Sequence, residues 1–274
     1  MLPVLFGFLA ALSTAIGLMM TKSITTRMPV WQVVGPLFFL NALLVAPAIP
    51  FGPRWRTPTV EILFLHAAST VLLIAGAACV FLLITRGRAS SVSVGRAVSP
   101  VSVLFIAPIL IGTVESPLLV VGAVVVMIGA LVPLRREFDG LSSVVTIGLL
   151  ALLGLAEGTV TVLTAALALE GVGLPEIYIV RTVIAGVFFT ALFPPRDLHL
   201  ADLKPLSTRA VFVTAGYVFT ILGVREGDVV PVQSLWATAP LLVIFLEWLR
   251  YRVRPHTGAM IVVFWWITPL TVYV

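Results

Sequence analysis

Four ionisable side chains stand out inside the long apolar stretches of this 274-residue chain: His66, Arg96, Glu157 and Arg181. A charge at the centre of a lipid-spanning helix costs about 2.5 to 3.5 kcal/mol on insertion scales, so such groups face protein or water and mark sites of function. Glu157 and Arg181 form the sharpest pair. Either Arg181 offers a bidentate fork to a carboxylate or phosphate while Glu157 binds an amine or carries a proton, or the two make a buried salt bridge that only ties their helices together. Arg96 matches Trp236 at an offset of 140 positions. That match sets a cation and an indole on opposite sides of a central space, where they bind an anion or an aromatic ring, or else snorkel and pack. Gln233 and Ser93, matched by the same offset, and Tyr217 are further polar candidates, with Tyr178, Asn41 and Trp31 ranked below them. His66, whose ordinary pKa of about 6.5 lies near neutrality, suits proton coupling or simply bonds to a neighbouring helix.

Other chemistry has little to work with. There is no H-E-x-x-H and no His/Cys cluster at ligand spacing, so no metal is expected. No G-x-x-x-x-G-K-[ST] loop is present, so energy from nucleotides is not expected, and neither is a cofactor. Asp197, His199, Asp202 and His256 are the interfacial acids and histidines a membrane enzyme on a lipid-linked substrate would need, and their scatter argues against catalysis. The single cysteine, Cys79, lies in an apolar run and permits no disulfide framework.

These side chains need a scaffold that can hold charge within lipid. The chain is 60% hydrophobic and 11% charged, with a mean hydropathy of +1.15. Soluble domains run at about 25% charged residues. Roughly 20 apolar residues span the hydrocarbon layer as a helix, and ten such runs are readable: about 3 to 20, 30 to 50, 60 to 83, 91 to 112, 117 to 133, 144 to 168, 175 to 193, 208 to 224, 229 to 249 and 257 to 274. They are continuously apolar rather than alternating, which favours helices over barrel strands. The first run lacks a basic leader and a small-residue cleavage site, so it is expected to be a span and not a secretion signal. The expectation is an all-α, multi-pass integral membrane protein, in the inner membrane of a bacterium.

The fourth and ninth runs read as copies. Ser90 to Pro100 and Val230 to Pro240 both lead through small residues to a proline, followed by an apolar run. A five-plus-five split, 1–139 and 140–274, forces the second copy to enter from the opposite side, so the repeat is inverted. Pro100 and Pro240 are expected to bend their helices and turn freed carbonyls toward the cavity. Gly154 and Gly158, which bracket Glu157, are expected to let helices approach closely. The formal charge of +5 resides mainly in short loops, so lipid and a small molecule are the expected partners and nucleic acid is not. No oligomeric state is legible. Twelve of the 17 Lys and Arg residues follow odd-numbered spans and three follow even-numbered ones. Basic loops stay in the cytoplasm, which places both termini outside.

The paired small-residue stretches to Pro100 and Pro240, with Gly112-Thr113-Val114-Glu115-Ser116 running on to Gly122 and Gly129, resemble the EamA-type branch of the drug/metabolite transporter superfamily. The second repeat departs from that pattern, carrying Arg250, Arg252 and Arg254 where the first has its acid. The resemblance implies a secondary carrier of small metabolites with a central cavity and cytoplasmic termini. Export of small polar compounds such as amino acids or organic anions by alternating access is the leading expectation, and export of amphipathic or aromatic compounds the second.

Overall fold

The structure is a computed structural model that describes residues 2–51, 55, 57–86, 92, 95, 96, 98–112, 121, 144–196, 198–226, 229–236 and 238–252. Its helices are α1 (Leu2–Thr25), α2 (Val30–Val45), α3 (Val60–Arg86), α4 (Ser99–Ile111), α5 (Val144–Leu169), α6 (Leu174–Leu192), α7 (Leu203–Glu226), α8 (Val229–Trp236) and α9 (Ala239–Tyr251). A 3-10 turn, Ala46–Phe51, extends α2. No strand occurs among the described residues. Proline at the first turn starts α4, α6 and α9, where its missing N–H has no partner to lose.

Seven stretches among the described residues are long and apolar enough to cross a membrane. The fifth run is described only at Val121 and the tenth not at all. Glu115, Gly122, Gly129 and His256 therefore lie outside the described residues. The fourth and ninth runs are not continuous helices but restart just before their prolines.

Those restarts match residue for residue. Val98 N donates to the Gly95 carbonyl at 3.2 Å, and Thr238 N to the Leu235 carbonyl at 2.9 Å, at the same 140-residue offset. α4 and α9 are each 13 residues long and end on a left-handed residue, Gly112 at φ 67° and Arg252 at φ 52°. The expected bend is thus a break, and the carbonyl left by proline does not stay free. Pro100 gives Arg96 no N–H, and the Ser99 hydroxyl donates to the Arg96 carbonyl instead at 2.6 Å. In the second repeat the Thr238 hydroxyl donates one position earlier, to the Leu235 carbonyl, at 2.6 Å.

Helix packing is symmetric under exchange of the halves. α1 lies along α7 as α3 lies along α5, and α2 pairs with α6. α4 packs on α5 as α8 and α9 pack on α1, and α8 meets α4. Aromatic stacks show that α2 and α6 run antiparallel, since Trp31 meets Phe193 and Phe38 meets Phe189. A Cβ at Gly158 would collide with the Ser99 carbonyl and lie 2.7 Å from the Ser102 Cβ. The glycine pair is what lets the broken fourth run sit against α5.

The exterior is apolar where a soluble protein would be charged. Val60, Phe105 and Ile109 are more than 70% exposed, whereas Arg96, Glu157, Arg181, Arg209 and a set of threonines are buried. Such an inverted distribution is stable only where lipid covers the outside.

Candidate functional site

The buried polar groups surround a cavity with about 1090 Å³ of empty space, its open mouth included. Both halves contribute to it. Thr14 and Thr21 come from α1, Asn41 from α2, Gly76 from α3, Glu157, Thr161 and Thr164 from α5, Arg181 from α6, Arg209 and Tyr217 from α7, and Trp236 from the end of α8. On α5, Glu157, Thr161 and Thr164 recur at helical spacing and so share one face. The charged side chains lining the cavity, among the described residues, are three arginines and one glutamate.

Glu157 does not pair with Arg181, so the salt bridge that would tie their helices together is not made. Its partner is Arg96, whose Nε donates to Oε1 at 2.9 Å and Oε2 at 3.0 Å. The glycines at 154 and 158 bring Arg96 onto the Glu157 face of α5, closer than α6 brings Arg181. Nη1 of Arg96 is buried with no hydrogen-bond partner, so its outer fork retains donors.

Arg96 and Trp236 were expected on opposite sides of the central space, and they are in contact. The Arg96 guanidinium carbon lies 5.5 Å from the indole centroid. Both residues end the first helical piece of their repeat, and the two breaks face each other, so the pseudo-equivalent side chains meet. Trp236 Nε1 donates to Thr14 Oγ1 at 2.8 Å. Gln233 is fully buried behind this contact and is not part of the cavity wall. It donates to the Ser99 hydroxyl and has Thr161 Oγ1 at 2.9 Å from its Oε1, linking the two breaks. Ser93 lies outside the described residues.

Arg181 is 2% exposed and has no carboxylate partner among the described residues. Its Nη1 donates to Thr164 Oγ1 at 2.8 Å, and its guanidinium carbon lies 5.9 Å from the Tyr178 ring and 5.8 Å from the Tyr217 ring. Tyr217 in turn sits edge-on to Trp236 at 6.1 Å. Tyr178 donates to Thr214 Oγ1 at 3.2 Å. Asn41, which also lines the cavity, has a buried Oδ1 with no partner, an acceptor available to a ligand donor.

His66 does not reach the cavity wall. It is buried in α3 with neither ring nitrogen hydrogen-bonded, so the expected bond to a neighbouring helix is not made. Trp31 stacks on Phe193 and packs in the core, away from the cavity. His199 and Asp202 form a capping box on the 3-10 turn Leu200–Asp202 that precedes α7, with the Asp202 carboxylate accepting from His199 N at 2.9 Å.

Arg209 is the residue that sequence reasoning missed, having been placed among the basic loop residues. It lies inside α7, 8% exposed, donates from Nε to Thr21 Oγ1 at 2.9 Å and stands over the Phe81 ring at 5.8 Å. The signal was available in threonines at helical spacing on otherwise apolar helices, such as Thr14 and Thr21 of α1.

Comparison with known proteins agrees with this architecture. One solved crystal structure, 18% identical, superposes with a TM-score of 0.75 over 95% of this chain and 92% of its own, a likeness that shows the fold. No curated protein matches. The family model described as the EamA-like transporter family matches residues 1–135 and again 145–269. With two copies of that unit, an apolar exterior and a polar cavity between them, the chain belongs to the EamA-like transporter family of the drug/metabolite transporter superfamily, membrane proteins that carry small molecules.

Proposed function

We propose that this protein exports small polar metabolites, organic anions and amino acids among them, by alternating access between the halves 1–139 and 140–274. The observation that carries this reading is Arg181, a buried cation held, among the described residues, by a threonine and two tyrosine faces at the cavity wall. An unneutralised guanidinium in a dry site is costly, and a substrate carboxylate or phosphate offsets that cost with bidentate geometry. Asn41 Oδ1, unpartnered on the same wall, suits the ammonium of an amino acid or a hydroxyl.

Export is favoured by the charge at the two ends. Lys22, Arg196, Lys204, Arg250 and Arg252 outnumber Asp202 at one end of the bundle, and Glu61, Glu170, Glu176 and Glu226 outnumber Arg225 at the other. Placing the basic end in the cytoplasm, where such residues are retained, draws anions toward the entrance on that side. The acidic end discourages their return. We assign proton coupling to Glu157 rather than His66, because Glu157 is at the cavity wall. It faces Arg96, with Tyr217 on α7 and Cys79 on α3 as its other titratable neighbours. A second reading, export of aromatic or amphipathic compounds, is favoured by the run of rings Tyr178, Tyr217 and Trp236 along one wall.

The test is a thermal-shift screen of the purified protein against amino acids, organic acids and nucleosides, repeated with Arg181→Gln. Organic anions are expected to stabilise the protein, and the variant to lose the response by at least about tenfold in affinity, the value of one charge-assisted contact. An anion response that survives Arg181→Gln intact removes Arg181 from the site.

A further inference from the structure

The cavity holds two guanidinium groups that no carboxylate among the described residues neutralises, and we propose that its substrate is a small organic dianion, with one acidic group at Arg181 and the other at Arg209. This deepens the anion-binding reading of the cavity and rests on it. The two arginines are mounted in the same way. Thr164 Oγ1 accepts from Arg181 while donating to the Val160 carbonyl at 2.7 Å, and Thr21 Oγ1 accepts from Arg209 while donating to the Gly17 carbonyl, also at 2.7 Å. Each threonine has its single proton committed to its own helix, so its oxygen is a fixed acceptor that aims the arginine.

Aiming uses little of what each arginine offers. A guanidinium has about five N–H donors, and among the described residues each of these arginines bonds through one. Ring faces complete the mounting, Tyr178 and Tyr217 for Arg181 and Phe81 for Arg209. The one carboxylate at the cavity wall among the described residues, Glu157, is already held by Arg96. A monoanion would balance one of the two remaining cations and leave the other buried and uncompensated, whereas a dianion balances both.

The spacing suits a short molecule. Arg209 and Tyr217 are eight residues apart on α7, about 12 Å along the helix axis, and Arg181 lies 5.8 Å from the Tyr217 ring. Two long side chains reaching into that interval can grip both ends of a short diacid. Between them the wall is Val213 and Tyr217, a surface suited to a methylene chain and not to a third charge.

The experiment is calorimetric binding of monocarboxylates and α,ω-dicarboxylates of matched and increasing chain length to the full chain in nanodiscs. The wild-type protein is expected to prefer dicarboxylates by at least about tenfold at one optimal length. Arg209→Gln is expected to reduce the ratio of dicarboxylate to monocarboxylate affinity to about one, Arg209→Lys to preserve a reduced preference, and Arg181→Gln to weaken both ligand series. Equal affinities for the two series in the wild-type protein, or a ratio unchanged by Arg209→Gln, overturns the dianion assignment while leaving the cavity an anion site. Failure of every carboxylate to bind the wild-type protein overturns the anion reading itself. The wild-type comparison decides alone where a variant does not fold.

Discussion

Arg96 and Glu157 carry opposite charges in a place where neither is stable alone. Their bond closes with one guanidinium nitrogen on two carboxylate oxygens, and removing either partner strands the other in the protein interior. Glu157→Gln is therefore expected to destabilise the protein by about 3 to 5 kcal/mol, and adding Arg96→Gln to recover most of that loss. Denaturant unfolding in detergent of both singles and the double variant checks this through the coupling energy, expected to exceed about 3 kcal/mol in magnitude. A single variant as stable as the wild type would mean that water, and not the ion pair, solvates these groups. The same Glu157→Gln protein is expected to transport at a rate independent of pH, measured in proteoliposomes, because it removes the carboxylate assigned to proton exchange.

Each broken fourth run ends one helical piece where the two halves meet and begins another one residue before a proline. The break makes the contact between Arg96 and Trp236 possible, because side chains at the end of a helical piece can turn toward the opposite repeat. The second piece must then end at the matched position, and there the halves differ in chemistry. Gly112 takes its left-handed conformation without penalty, while Arg252 takes the same conformation with a Cβ. Arg252→Gly is expected to stabilise the protein by about 1 kcal/mol, with no change in transport, since the αL strain of a non-glycine residue is of that order. The unfolding midpoint measures it, and a destabilised variant would show that the arginine side chain contributes more than its backbone costs.

Two aromatic contacts bridge the halves at opposite ends of the bundle. Phe6 of α1 stacks near Phe219 of α7 with centroids 6.2 Å apart, and Trp31 of α2 stacks on Phe193 beyond α6 at 5.1 Å. If the halves rock about the breaks, each end must open in turn. Cysteines at Trp31 and Phe193, on a Cys79→Ala background, are expected to stop exchange in proteoliposomes once joined by a bis-maleimide, while ligand binding persists. Exchange that continues at the wild-type rate would show that this end does not have to separate. Cysteines at Phe6 and Phe219 test the other end by the same measurement.

Composition and run length determined that this chain lives in lipid as helices, because hydrocarbon leaves backbone groups no partner outside the segment. The offset between Pro100 and Pro240 determined the repeat, and charges within apolar runs picked out Arg96, Glu157 and Arg181 because lipid penalises them regardless of fold. Which of these groups touch was decided only in three dimensions. The docking of the broken run on Gly154 and Gly158 gave Glu157 to Arg96 and left Arg181 unneutralised, a matter of helix rotation and depth that no one-dimensional pattern contains. Arg209 escaped for the same reason. Near a helix end, the same residue can follow a loop into solvent or turn inward, and the neighbouring helix, here through Thr21, makes the choice.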